Sequence, residues 1–207
     1  MKVLGIIAEY NPFHHGHLYH LSRSREIIKP DYVIAIMSGN FTQRGEPALF
    51  DKWLRTEMAL RNGIDVVIEL PVSYACQSAE LFALGGVQLL NSCNIITHMS
   101  FASEIGYIDP LYAIAKILVE EPDEYRHSLR DNLDIGHSYP TARNNALLTF
   151  AETLKMSKTE LNTLLQSPNS ILGIEYLKAL IRTDSQIEPI TFPRKASQYH
   201  DRSIDSN

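Results

Sequence analysis

Two kinds of block alternate along this chain: short, nearly continuous apolar runs and longer stretches with helical spacing. The runs at 3–8, 32–37, 66–69, 95–101 and 187–192 have strand length and the composition of strands buried on both faces. Helical periodicity predicts helices over 16–28, 51–62, 78–91, 110–120, 139–153 and 170–182. Punctuation agrees: Lys29-Pro30 stops the first helix, Asp51 is placed to cap the second, and Pro71 stops the third strand. Strands alternating with helices predict an α/β fold, a doubly wound parallel sheet with flanking crossover helices. A chain of 207 residues suits one domain, here with a small helical insertion expected around 108–165.

Composition changes this picture little. Hydrophobic content of 44% and charged content of 21% are ordinary for a globular protein. No apolar run reaches the roughly 18 residues that span a bilayer. Glu9 interrupts the first run too early for a signal peptide, so a cytoplasmic protein is expected. Cys76 and Cys93 lack motif spacing and read as buried thiols in a reducing compartment. A net charge of −5 argues against a general nucleic-acid binder and allows at most a local basic patch.

Ligands of doubly wound sheets bind beyond the carboxyl ends of the strands. That rule collects the loops 9–17, 38–44, 70–74 and 102–106 on one edge. The first is the richest, reading EYNPFHHGH, with a strand before it and a helix after it. Strand, turn and helix N-terminus make an anion site, because unpaired N–H groups and the helix dipole point at the ligand. Gly16 permits close backbone approach, and His14 and His17 can donate to phosphate oxygens. Three readings compete for the histidines: a metal site, structural side chains, and nucleotide phosphate binding. The strand–turn–helix context favours the third, and no C-x-x-C or H-E-x-x-H partner supports the first.

The other loops carry less. Arg44, Lys52, Arg55 and Arg61 give the second loop and its helix positive charge, a candidate anion-facing surface. Glu69, ending the third strand, fits a general base, a cap or an ion pair. Asn169 or Ser170 is placed to cap the last helix.

The blocks EYNPFHHGHLYH, MSGNFTQRGEPALFDKWLRTEMAL, GIDVVIELP, SYPTARNNAL, PNSILGIEYLKAL and RKASQYHD resemble the bacterial tRNA(Met) cytidine acetate ligase family. That family belongs to the nucleotidyltransferase superfamily with the H-x-G-H motif, so the resemblance implies a Rossmann-like, HUP-type fold. It also implies an enzyme that activates acetate with ATP and acetylates N4 of the wobble cytidine of elongator tRNA(Met). Mg²⁺ is expected with the ATP, and no resident protein metal. The ATP site implied runs through Ile7, Ala8, Glu9, Tyr10, Asn11, Pro12, Phe13, His14, His15, Gly16, His17, Leu18, Tyr19 and His20. It is completed by Asn169, Arg194 and Ala102, which replaces the glycine of the family's F-G-S-E. His14 and His17 are the implied catalytic pair, and Arg44, Lys52 and Arg55 the implied tRNA-facing surface. The family's serine-rich S-S-A-T-A-I-R block and its helical C-terminal region do not occur before Asn207, so this chain is expected to lack both. Two alternatives stay open: a nucleotidyltransferase of other specificity, and a nucleotide-binding remnant.

Overall fold

The structure is a computed structural model and describes residues 1–193. Its centre is a sheet of five parallel strands: β1 (Val3–Ala8), β2 (Tyr32–Ser38), β3 (Val66–Leu70), β4 (His98–Ser103) and β5 (Glu188–Pro193). Their order is β3-β2-β1-β4-β5. The chain first winds outward from β1 to β3, then returns to place β4 on the other side of β1. The switch point therefore lies between β1 and β4, where such sheets bind ligands.

Alternation along β1 divides the core. Leu4 and Ile6 join a cluster with Leu21 and Ile28 of α1 (His15–Ile28) and Ala59 of α2 (Lys52–Arg61). Val3 and Ile7 face the opposite way, into a larger cluster. That cluster includes Phe82 and Leu90 from α4 (Ala79–Ser92) and Ile174 and Leu177 from α9 (Pro168–Arg182). Each such buried side chain contributes about 1.5–3 kcal/mol relative to leaving it in water. Helices α5 (Asp109–Glu120), α6 (Asp123–Asp134), α7 (Tyr139–Leu148) and α8 (Lys158–Gln166) lie between β4 and α9 in sequence. Leu111, Tyr125, Leu147 and Leu161, one from each, enter the larger cluster.

The α/β expectation holds, with local differences. The fourth strand starts at His98, not at residue 95, because Asn94 takes a left-handed turn (φ 54) and Thr97 is spent bonding Val3. A short α3 (Val72–Ala75) follows Pro71, and α6 and α8 match none of the individually expected helices. The helix expected to Thr153 ends at Leu148. Cys76 and Cys93 are free thiols but only half-buried, with Cys93 Sγ 3.3 Å from the Leu89 carbonyl.

Candidate active site

At the switch point a cavity of about 380 Å³ opens between the carboxyl ends of β1 and β4. Its floor is the end of β1, one wall is the N-terminus of α1, and another is the first two turns of α9.

The wall at α1 is built from the HHGH segment itself. His14 is the N-cap, and its Nδ1 accepts the Gly16 N–H at 3.0 Å. His17 Nδ1 accepts the His14 N–H at 3.3 Å, closing a reciprocal capping box. The two rings stack with centroids 3.8 Å apart. Accepting through Nδ1 places each neutral ring's proton on Nε2, so both histidines carry an Nε2–H donor at the positive end of the helix dipole. Gly16 is required here: a Cβ would sit 2.8 Å from the His14 ring and break the cap. Tyr10, buried and in left-handed backbone (φ 46), packs its ring on both Phe13 and His17. Burial holds its phenol far above the ordinary tyrosine range. Further along α1, His20 Nε2 lies 3.4 Å from Ser100 Oγ, which itself pairs with Ser24 Oγ at 2.8 Å.

The second wall is pinned by a carboxylate. Glu104, in the loop after β4, accepts from the Asn169 and Ser170 backbone N–H groups, from Asn169 Nδ2 at 2.8 Å and from Ser170 Oγ at 2.6 Å. Burial alone would raise its pKa, but the four hydrogen bonds outweigh it and hold the carboxyl below the usual range. Asn169 and Ser170 were expected to cap α9 with their own side chains. Instead the N-cap is Ser167, whose side chain donates back to the Thr163 carbonyl and makes no capping bond, and the Asn169 and Ser170 side chains donate to Glu104.

The third element is Arg55, whose expected place on a tRNA-facing surface must be corrected. It is 0% exposed. Its guanidinium donates to the carbonyls of Glu9, Ser38, Gly39 and Phe50. No polyanion can reach it; it ties the end of β1 to the end of β2. Desolvation lowers its pKa, while Glu9, Asp51 and Glu69 oppose that shift. Lys52 is partly committed as well, its Nζ lying 2.7 Å from Glu69 Oε2, so Glu69 is an ion-pair partner. Arg44 is exposed and lines the cavity.

Of the expected ATP residues, Ile7, Ala8, Glu9, Tyr10, His14, Gly16, His17, Tyr19, His20, Ala102 and Asn169 line the cavity. Asn11 does not; its Oδ1 accepts the Leu49 N–H at 2.7 Å, anchoring the neighbouring loop. Phe13 supports His17 from behind, Pro12 shapes the turn, and His15 and Leu18 are exposed on the first turn of α1. Arg194 lies outside the described residues. Ala102 takes ordinary strand backbone paired to Phe192, so the methyl introduces no left-handed strain. Sequence reasoning missed Phe82, Leu172 and Tyr176, which reach the cavity from α4 and α9. Among the described residues, no three His, Cys, Asp or Glu side chains converge to hold a metal ion.

The comparison that decides the family covers the entire chain: residues 1–207 match the family description HIGH Nucleotidyl Transferase. The chain belongs to that family. The HIGH-type motif here is the HHGH cap. Among relatives, the tRNA(Met) cytidine acetate ligase of Halothermothrix orenii is 49% identical over 209 residues, 100% of this chain and 50% of that protein. The ligase of the same name from Thermoanaerobacter sp. is 53% identical over 199 residues, 96% of this chain and 48% of its own. Two solved structures are similar as well. Thermotoga maritima TmcAL bound with alpha-thio ATP superposes with TM-score 0.90 at 48% identity, covering 95% of this chain and 47% of that one. Its apo form gives TM-score 0.93 at 48% identity, covering 99% and 48%. The chain thus spans about half the length of the curated relatives it matches. These neighbours share the HUP-type nucleotidyltransferase fold with the HIGH-family chain described here. No helix among the described residues is long and apolar enough to cross a membrane.

Proposed function

We propose that this chain is the nucleotide-activating part of a tRNA(Met) cytidine acetate ligase. The observation that carries the reading is the reciprocal His14–His17 cap at the mouth of the cavity. Two ring donors and the α1 dipole form a fixed positive pole where phosphates would lie. The names of relatives at about 50% identity, of whose length this chain spans about half, and the nucleotide analogue in the Thermotoga neighbour support it.

In this reading a carboxylate oxygen of acetate attacks the α-phosphorus of ATP. The bond to the bridging oxygen breaks, and pyrophosphate departs with its electron pair. The cytidine N4 amine then attacks the acetyl carbonyl carbon, loses a proton and expels AMP. The protein supplies position and charge stabilisation and needs no nucleophile of its own. His14 and His17 donate to the phosphates as negative charge grows on the leaving group. Asn169 contributes to holding the nucleoside, and Arg194 adds a fork for phosphate oxygens. Mg²⁺ would accompany ATP and would supply neutralisation of the phosphate charge, with no protein cage to hold it. Arg44, at the rim, is the proposed tRNA contact that remains once Arg55 is assigned to the interior. A tRNA substrate places the protein in the cytoplasm.

The test is transfer of label from labelled acetate to an elongator tRNA(Met) transcript in the presence of ATP. Label at the wobble cytidine supports the reading. Transfer of AMP or CMP to a phosphorylated metabolite without acetate would establish the alternative specificity instead.

A further inference from the structure

The cavity has two compartments, set by the alternation of the strands that floor it. On the α1 side lie His14, His17, His20, Ser100 and Phe192, with the His20 and Phe192 rings 5.1 Å apart. On the opposite face of the sheet, Ile7, Phe82, Phe101 and Leu172 wall the second compartment, in the cluster shared with α4 and α9. These four are hydrocarbon. Tyr176 lines the cavity with them, its ring 5.8 Å from that of Phe101, and brings a polar hydroxyl to this apolar lining.

Tyr176 is 3% exposed, and its hydroxyl has no hydrogen-bond partner among the described residues. Tyr176 lines the cavity, so a ligand that enters can take up its hydroxyl as a hydrogen-bond donor. Burial, with the charge of Glu9 adding to it, holds the phenol far above the ordinary range. It stays protonated and can donate. The occupant must therefore offer an acceptor oxygen to Tyr176, a small apolar body to the four hydrocarbon walls, and a link to the phosphate compartment.

We infer that this second compartment is the subsite for the short acyl group, and that Tyr176 donates its hydroxyl proton to the acyl oxygen. The inference rests on the acetate-activating reading above. It adds a specificity-determining residue to that reading. The negative charge of Glu9 beside the compartment disfavours a free carboxylate and suits the uncharged carbonyl of the mixed anhydride. Binding should accordingly favour the acyl adenylate over the free acid.

The test needs no turnover. Calorimetry on the full chain compares sulfamoyl adenosine with acetyl-sulfamoyl adenosine, an unreactive mimic of acetyl adenylate. Wild type should bind the acetyl compound more tightly. Tyr176→Phe keeps the ring and removes only the hydroxyl. It should lose about three- to tenfold of that gain, the worth of one hydrogen bond, while binding sulfamoyl adenosine as before. Leu172→Phe narrows the same compartment and should reject the acetyl compound while still binding sulfamoyl adenosine. An acetyl gain equal in wild type and Tyr176→Phe overturns the assignment of Tyr176. Sulfamoyl adenosine binding with no acetyl gain in wild type overturns the subsite and leaves the nucleotide site standing. Failure to bind either compound removes the nucleotide reading and the subsite with it.

Discussion

Arg55 Nη2 donates to the Ser38 carbonyl at 2.9 Å, joining the first turn of α2 to the end of β2 from inside the protein. The same side chain holds the Glu9, Gly39 and Phe50 carbonyls. It thus fixes the relative positions of the loop that carries the histidines and the loop that carries Gln43 and Arg44. Glu9 reinforces the link by accepting the Gln43 backbone N–H.

Removing that guanidinium strands several buried carbonyls at once. Arg55→Ala should destabilise the fold by about 3–5 kcal/mol. Arg55→Lys should recover only part of this, because an ammonium lacks the planar fork. Urea unfolding of the two variants checks both values, and wild-type stability in Arg55→Ala would contradict the structural role.

His17 and His14 separate by role. His17→Ala removes the proposed phosphate donor and should slow adenylate formation by roughly 10²-fold. His14→Ala additionally removes the N-cap of α1 and should lower stability by about 1 kcal/mol. Thermal melts together with single-turnover kinetics distinguish the two variants.

Glu104 links acidity to the α9 wall. Its hydrogen bonds hold the folded-state pKa below the ordinary glutamate value, so they stabilise the fold above that ordinary value. This contribution fades as pH falls through the depressed folded value. Glu104→Gln should lower the melting temperature at neutral pH and flatten its decline in acid. Parallel melting curves for variant and wild type across the acid range would contradict the assignment.

Ala102 occupies strand backbone, not a left-handed turn. Restoring the family's glycine should therefore cost about 0.5–1 kcal/mol of stability through chain entropy, with no strain relieved. A gain in stability for Ala102→Gly on denaturant titration would contradict this.

The sheet was legible because its strands are short apolar runs separated by helical periods. The first loop was legible because its chemistry is contiguous, from Glu9 to His17. Helix α6 was less so, although Tyr125, Leu129 and Leu133 recur at helical spacing, because the segment around them is mostly charged and polar and only Tyr125 is buried. Helix α8 did carry a signal: Ser157 and Glu160 form a capping box ahead of Leu161, Leu164 and Leu165. The roles of Arg55 and Glu104 depend on partners far away in sequence, 46 residues from Arg55 to Glu9 and 65 from Glu104 to Asn169. An arginine in a charged segment reads as exposed until the fold buries it. Tyr176 escaped for a related reason: one aromatic on an apolar helix face looks like core until the cavity beside it is seen.

The central claim, that this cavity activates a carboxylic acid with ATP, is tested most directly by ATP–pyrophosphate exchange on this 207-residue chain, with and without acetate. The account predicts exchange that depends on acetate and falls roughly 10²-fold in His17→Ala. Exchange that is independent of acetate, or unchanged by loss of His17, would contradict it.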